Sequence, residues 1–223
     1  GIISIVNAAE KYKKIARGLS KNPSDEFFEA QTEFKNALYL YSKEKESDII
    51  PGLIKTKLKD VINISSATID FWPDIFGFNG QKTYLVLFQN NMELRPGGGF
   101  IGSYAILTLD KGRILSFRIY DVYDADGQLK THVEPPFPIR RFLPLVHWYL
   151  RDSNFNLDFS KGAVASAIFL NSETHQAVDG VIGVDLYFIK NLLLATGPIH
   201  VSDYKETVSA SNFYQIIQAH AEK

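Results

Sequence analysis

The stretch Gln89-Asn90-Asn91-Met92-Glu93-Leu94-Arg95-Pro96-Gly97-Gly98-Gly99 concentrates groups capable of chemistry. Three successive glycines let backbone N–H groups approach an anion closely, and Arg95 adds a planar fork of donors suited to phosphate or carboxylate. The same residues also suit a tight connection between two neighbouring strands, with Arg95 and Glu93 as a surface pair. Gly97, Gly99 and Gly102 spell G-x-G-x-x-G, and Asp121 stands about where a ribose-binding acid would. That fingerprint needs glycines that open a helix. Phe100-Ile101-Gly102-Ser103-Tyr104-Ala105-Ile106-Leu107 is instead rich in strand formers, so a nucleotide fold is set aside.

Two further stretches carry charge in a pattern that could serve a site. Asp121, Asp124 and Asp126 cluster after a strand-like run, as hard-cation ligands do, although not at EF-hand spacing. Asp126-Gly127 is also ordinary turn chemistry. Solvated carboxylates are therefore expected at Asp124 and Asp126, leaving Asp121 as the cation candidate. Arg151-Asp152-Ser153-Asn154-Phe155-Asn156-Leu157-Asp158 precedes an expected helix, whose start favours an anion. Asp158 and Ser160 fit helix caps, whereas Arg151 and Asp152 have no such role. The histidines at 132, 147, 175, 200 and 220 lack metal-ligand or nucleophile-elbow spacing and read as structural or surface residues.

The elements that must position these groups follow from periodicity. The chain has 223 residues, 45% apolar, with 24 basic and 25 acidic side chains, enough to bury a real core. Its net charge of −1 argues against a dedicated nucleic-acid binder, because neutralising many phosphates needs a basic excess. The absence of cysteine excludes zinc ribbons, thiol catalysis and disulfide frameworks. Helical spacing runs from Ile2 to Trp72. It predicts a first helix stopping near Gly18 to Ser20 and a second starting at Asn22-Pro23-Ser24-Asp25. A third should run from Pro51-Gly52 through Leu53, Ile54, Leu58, Val61, Ile62 and Ile69 to a stop at Trp72-Pro73. The run from Lys43 to Asp48 reads as a solvated helix end or loop.

Beyond Gly80 the period changes. Strands are expected at Thr83 to Gln89, Phe100 to Leu109 and Arg113 to Val122, the last two joined by a hairpin turn at Asp110-Lys111-Gly112. Residues 123 to 147 show little periodicity. Helices follow at Ser160 to Asn171, Leu186 to Ala195 and Asn212 to Ala219, with a buried strand at Val178 to Val184. The expected organisation is a helical stalk or bundle over residues 1–76 and an α/β domain over 77–223.

The block Tyr84-Leu85-Val86-Leu87-Phe88-Gln89-Asn90-Asn91-Met92-Glu93-Leu94-Arg95-Pro96-Gly97-Gly98-Gly99-Phe100-Ile101-Gly102 resembles the domain of unknown function 4012 family. So do residues 148 to 159, 178 to 199 and 209 to 217. The resemblance implies a protein outside the cytoplasm, anchored to the cell membrane by an N-terminal helix not present here. More remotely the chain is similar to the LytR-CpsA-Psr enzymes of bacterial envelopes, which move a glycan from a polyprenyl-pyrophosphate carrier to a cell-wall hydroxyl using arginines and Mg²⁺-binding aspartates. That likeness implies an αβα sandwich around a mixed central sheet, truncated on its C-terminal side. It also implies Arg95 in the place of the arginine after the first strand, and Asp121 in that of the aspartate closing the hairpin. Two departures point away from phosphotransfer. Tyr120 stands where the enzymes have an arginine, with Arg118 on the opposite strand face from Asp121, and the enzymes' arginine-rich strand near their C-terminal end has no counterpart.

Three functions are therefore carried forward. The first is an envelope protein that binds an anionic or polyprenyl-linked glycan, with possible transfer of glycan phosphate. Asp121 and Asp152 would hold Mg²⁺ and act in catalysis, while Asn90, Glu93, Arg95, Gly98, Gly99, Arg118, Arg151, Asn154 and Asp158 would line the ligand site. The second is a non-catalytic envelope scaffold in which these groups knit the domain together. The third is a sensor of a small carboxylate at the same loop, with no metal.

Overall fold

A computed structural model describes residues 2–43, 63–143 and 145–221. The chain divides into two compact units, one built from Gly1–Lys82 and Thr108–Phe117, the other from Thr83–Leu107 and Arg118–Lys223.

In the first unit, α1 (Ile2–Ala16) and α2 (Pro23–Lys43) pack on each other. Proline pre-set for the first helical turn and Asp25 and Glu26 within it start α2 where the sequence places it. The expected residues Leu53, Ile54, Leu58, Val61 and Ile62, and positions 44 to 48, lie outside the described residues. Helix α3 is described over 63–68. The chain then tightens into a 3₁₀ turn at Ile69–Phe71 and continues as α4 (Trp72–Ile75). The expected stop at Trp72-Pro73 is thus not made: Pro73 sits in the first turn of α4, where its missing N–H costs nothing. Aromatic rings fill the core of this unit. Phe27 stacks on Phe78 at 3.9 Å, and Tyr12 meets Phe27 and Trp72 edge-on at 5.4 and 5.7 Å.

The second unit is mixed α/β. A four-stranded sheet has the order β3-β2-β1-β4, with β1 at Lys82–Asn90, β2 at Phe100–Asp110, β3 at Arg113–Asp121 and β4 at Gly180–Asp185. Strands β2 and β3 form the expected hairpin. Lys111 and Gly112 both have positive φ, 47° and 75°, which gives the turn the twist that a hairpin requires. Strand β4 runs parallel to β1, pairing Tyr84 with Gly180 through Gln89 with Asp185. Leu85, Val86 and Leu87 are all buried, as expected of a strand covered on both faces.

The irregular region after β3 contains two short helices, α5 (Val122–Asp126) and α6 (Phe137–Phe142), and a 3₁₀ turn at Leu150–Asp152. Helices α7 (Phe159–Thr174), α8 (Leu186–Thr196) and α9 (Phe213–Ala221) match the periodicity. A two-stranded hairpin of β5 (Ile199–Val201) and β6 (Glu206–Val208) was not foreseen, because three-residue strands are too short to show alternation. The core of the second unit gathers Leu85, Leu87, Ile101, Tyr104, Val122, Ala125, Leu150, Phe169 and Leu170.

Candidate functional site

The glycine loop leaves the C-terminal end of β1 and folds back on its own chain. Gln89 Nε2 donates to the Gly97 carbonyl at 2.8 Å, and Asn154 Nδ2 donates to that of Gly99 at 2.7 Å. Gly99 has φ +124°, and a Cβ there would lie 2.3 Å from the Asn90 carbonyl oxygen. The close packing, rather than an open cradle, explains its lack of a side chain. Gly98 faces the Gln89 amide. Asn90 Oδ1 accepts from the Met92 N–H at 3.1 Å, a local turn bond.

Arg95 reaches from this loop to the 3₁₀ turn. Its Nε donates to Asp152 Oδ1 at 2.9 Å, Nη1 donates to the Leu94 carbonyl at 3.1 Å, and Nη2 lies 3.4 Å from Glu93 Oε1. Arg151 Nη1 donates to Asp126 Oδ2 at 2.9 Å, with its Nε 3.6 Å from Asp152 Oδ2. Its guanidinium lies over the rings of Tyr149 and Tyr123, at 4.6 and 5.3 Å, and that of Arg95 over Phe100 at 5.3 Å. Two arginines fifty-six positions apart thus meet on opposite oxygens of one carboxylate. The side chains of Asp152 and Asp126 are only 2% and 4% exposed, and those of Arg95 and Arg151 only 11% and 18%, so the cluster is largely cut off from water.

Burial makes every charge in the cluster consequential. It pushes the Asp126 carboxyl up to about 6, against the pull of Arg151. The same cause pushes Glu173, on α7, up to about 7, although its Oε1 accepts from the Leu150 N–H at 3.0 Å. The expectation of a solvated carboxylate is therefore corrected at Asp126: α5 turns it inward onto Arg151. Glu173 was missed altogether. Phe169, Leu170 and Ser166 are buried on α7, four, three and seven residues before it, and that spacing places Glu173 on the buried face. A helical wheel could have found it.

The remaining expected site residues are distributed more widely. Asp121 is exposed and caps α5, its Oδ1 accepting from the Tyr123 N–H at 2.8 Å. Asp158 caps α7 through the Ser160 N–H at 3.0 Å, the role its sequence position also suggested. Arg118 is exposed on β3. Asn154 and Glu93 join the loop and the cluster as described, and Asn154 Oδ1 is buried with no hydrogen-bond donor. The donor set does not fit Mg²⁺ on Asp121 and Asp152, because both Asp152 oxygens face guanidinium groups and Asp121 Oδ1 faces a backbone N–H. Among the described residues no three His, Cys, Asp or Glu side chains form a group that could hold a metal. Nor is any helix among them long and apolar enough to cross a membrane.

Fold and cluster together define a mixed α/β domain clasped by buried arginine–aspartate pairs at the end of its first strand. Residues 79–221 match the model of a family described as a protein of unknown function, DUF4012, and the chain belongs to that family. Neither a curated protein nor a solved structure matches it.

Proposed function

We propose that this chain is a non-catalytic cell-envelope protein, held outside the cytoplasm by a membrane anchor beyond this sequence, whose α/β domain works by contact with partners. The likeness to LytR-CpsA-Psr proteins supports both that location and an αβα arrangement of the same kind. One observation carries the non-catalytic reading. Arg95 and Arg151 each ion-pair with a buried carboxylate, and Asp126, Asp152 and Glu93 together balance or exceed their charge, so no cationic surplus is left for a pyrophosphate. Contact surface is available elsewhere in the same unit. Helix α8 exposes Tyr187, Phe188, Leu192 and Leu194, and α7 exposes Val164 and Ile168, the kind of apolar display that marks interaction sites.

A second reading draws on a different aspect of the same cluster. Because both guanidinium groups converge on Asp152, a phosphate that displaced this carboxylate would meet two arginines at once. On that reading the domain binds an anionic or polyprenyl-linked glycan and supports glycan phosphate transfer, with Mg²⁺ recruited only after rearrangement. Calorimetric titration with inorganic pyrophosphate and with a polyprenyl pyrophosphate, each with and without Mg²⁺, separates the two. The scaffold reading expects no saturable binding and an Arg95→Ala variant that loses stability alone. Saturable binding abolished by Arg95→Ala would overturn it.

A further inference from the structure

Elements α5, the 3₁₀ turn Leu150–Asp152 and α7 pack on one another, and each contributes an acid to the buried interior between them. Asp126, Asp152 and Glu173 are 5%, 1% and 2% exposed. Two of their oxygens, Asp126 Oδ1 and Glu173 Oε2, are buried with no hydrogen-bond donor. A buried acceptor without a donor is costly, and an ionised one more so. The available cations do not remedy this. Arg151 already serves Asp126 Oδ2 and Asp152, and Arg95 serves Asp152, Glu93 and the Leu94 carbonyl.

We infer that Asp126 and Glu173 form a buried proton-binding site, which takes up a hydrogen when the domain folds and makes it firmer as its surroundings acidify. A proton on this pair removes one buried negative charge and lowers the cost of the orphaned oxygens. The groups that bear on the pair come from every packed element. They are the guanidinium and backbone N–H of Arg151 and the carboxylate of Asp152 from the 3₁₀ turn, the backbone N–H of Leu150, and the phenol of Tyr104 on β2, which its own burial first, and then Tyr120 and the neighbouring acids, push up to about 12. The upward displacement of both acids, to about 6 and about 7, agrees in direction.

The sign follows from linkage. Both acids hold their proton more tightly folded than unfolded, so their stabilising contribution is complete below the ordinary values of 3.8 and 4.5 and is lost as pH rises through about 6 to 7. The expected result is a thermal unfolding midpoint that climbs by roughly 5 °C or more between about pH 7.5 and pH 5. Glu173→Gln, whose amide supplies the missing donor, should retain or raise the midpoint at the higher pH and remove at least half of the slope. A wild-type midpoint that is flat or falls on acidification would overturn the inference, as would a Glu173→Gln slope equal to wild type. Infrared spectroscopy of the unaltered protein tests it without any variant. At about pH 6, where solvated carboxyl groups are ionised, a protonated-carboxyl stretch should persist, and its absence would end the proposal.

Discussion

Two charged regions of this molecule use the same chemistry with different consequences. On the α1–α2 pair, Lys11 bridges Glu29 and Glu33 at 3.0 and 2.9 Å, and Lys14 bridges Glu26 at 3.1 Å. Around the 3₁₀ turn, Arg95, Asp152, Arg151 and Asp126 make contacts of similar length. The lysine ladder is more open to water, its side chains between 22% and 64% exposed, so solvent screens its charges in part and the long side chains lose entropy when held. The arginine cluster is sequestered, so the removal of one member strands its partner in a medium that cannot solvate it. Burial, rather than bond length, ranks the two.

The largest effect that would break this ranking is expected at Asp152. Its replacement by alanine leaves two guanidinium groups facing each other and should cost about 3–5 kcal/mol in urea unfolding. A loss under about 1 kcal/mol would mean that the cluster behaves like surface charge. Asp158→Ala sharpens the middle of the scale. This exposed carboxylate caps α7 through a backbone N–H, and its loss should cost about 1 kcal/mol by the same measurement. At the other end, Lys11→Ala should leave the thermal midpoint within about a degree of wild type, although it ends two ion pairs. A clear drop there would show the ladder to be more than decoration.

Much of the architecture was legible because apolar periodicity is a local property. Thr83 to Gln89 announced a doubly covered strand, and Asp110-Lys111-Gly112 announced a hairpin turn. The misses occurred where neighbours distant in sequence decide. Whether Asp126 points into solvent or onto Arg151 depends on where α5 docks, twenty-five residues from its partner. An Asp-Gly pair gives no hint of that. At Pro73 the sequence rule was sound but incomplete, since the chain could restart a helix around the proline instead of ending one. Arg95 and Arg151 were expected to line one open ligand site, whereas the buried carboxylates on which both of them end became visible only in three dimensions.

The first compact unit is assembled from two stretches separated in the chain, Gly1–Lys82 and the hairpin tip Thr108–Phe117. Within it, the backbone N–H groups of Lys111 and Gly112 donate to the carbonyls of Gly77 and Phe76 at 3.1 and 2.8 Å. During synthesis, then, the leading helices emerge from the ribosome before the piece that completes them has been translated. They must wait, partly uncovered, until β2 has been threaded out and the turn delivered, so translation speed across that interval sets how long their aromatic core stays open to misassociation.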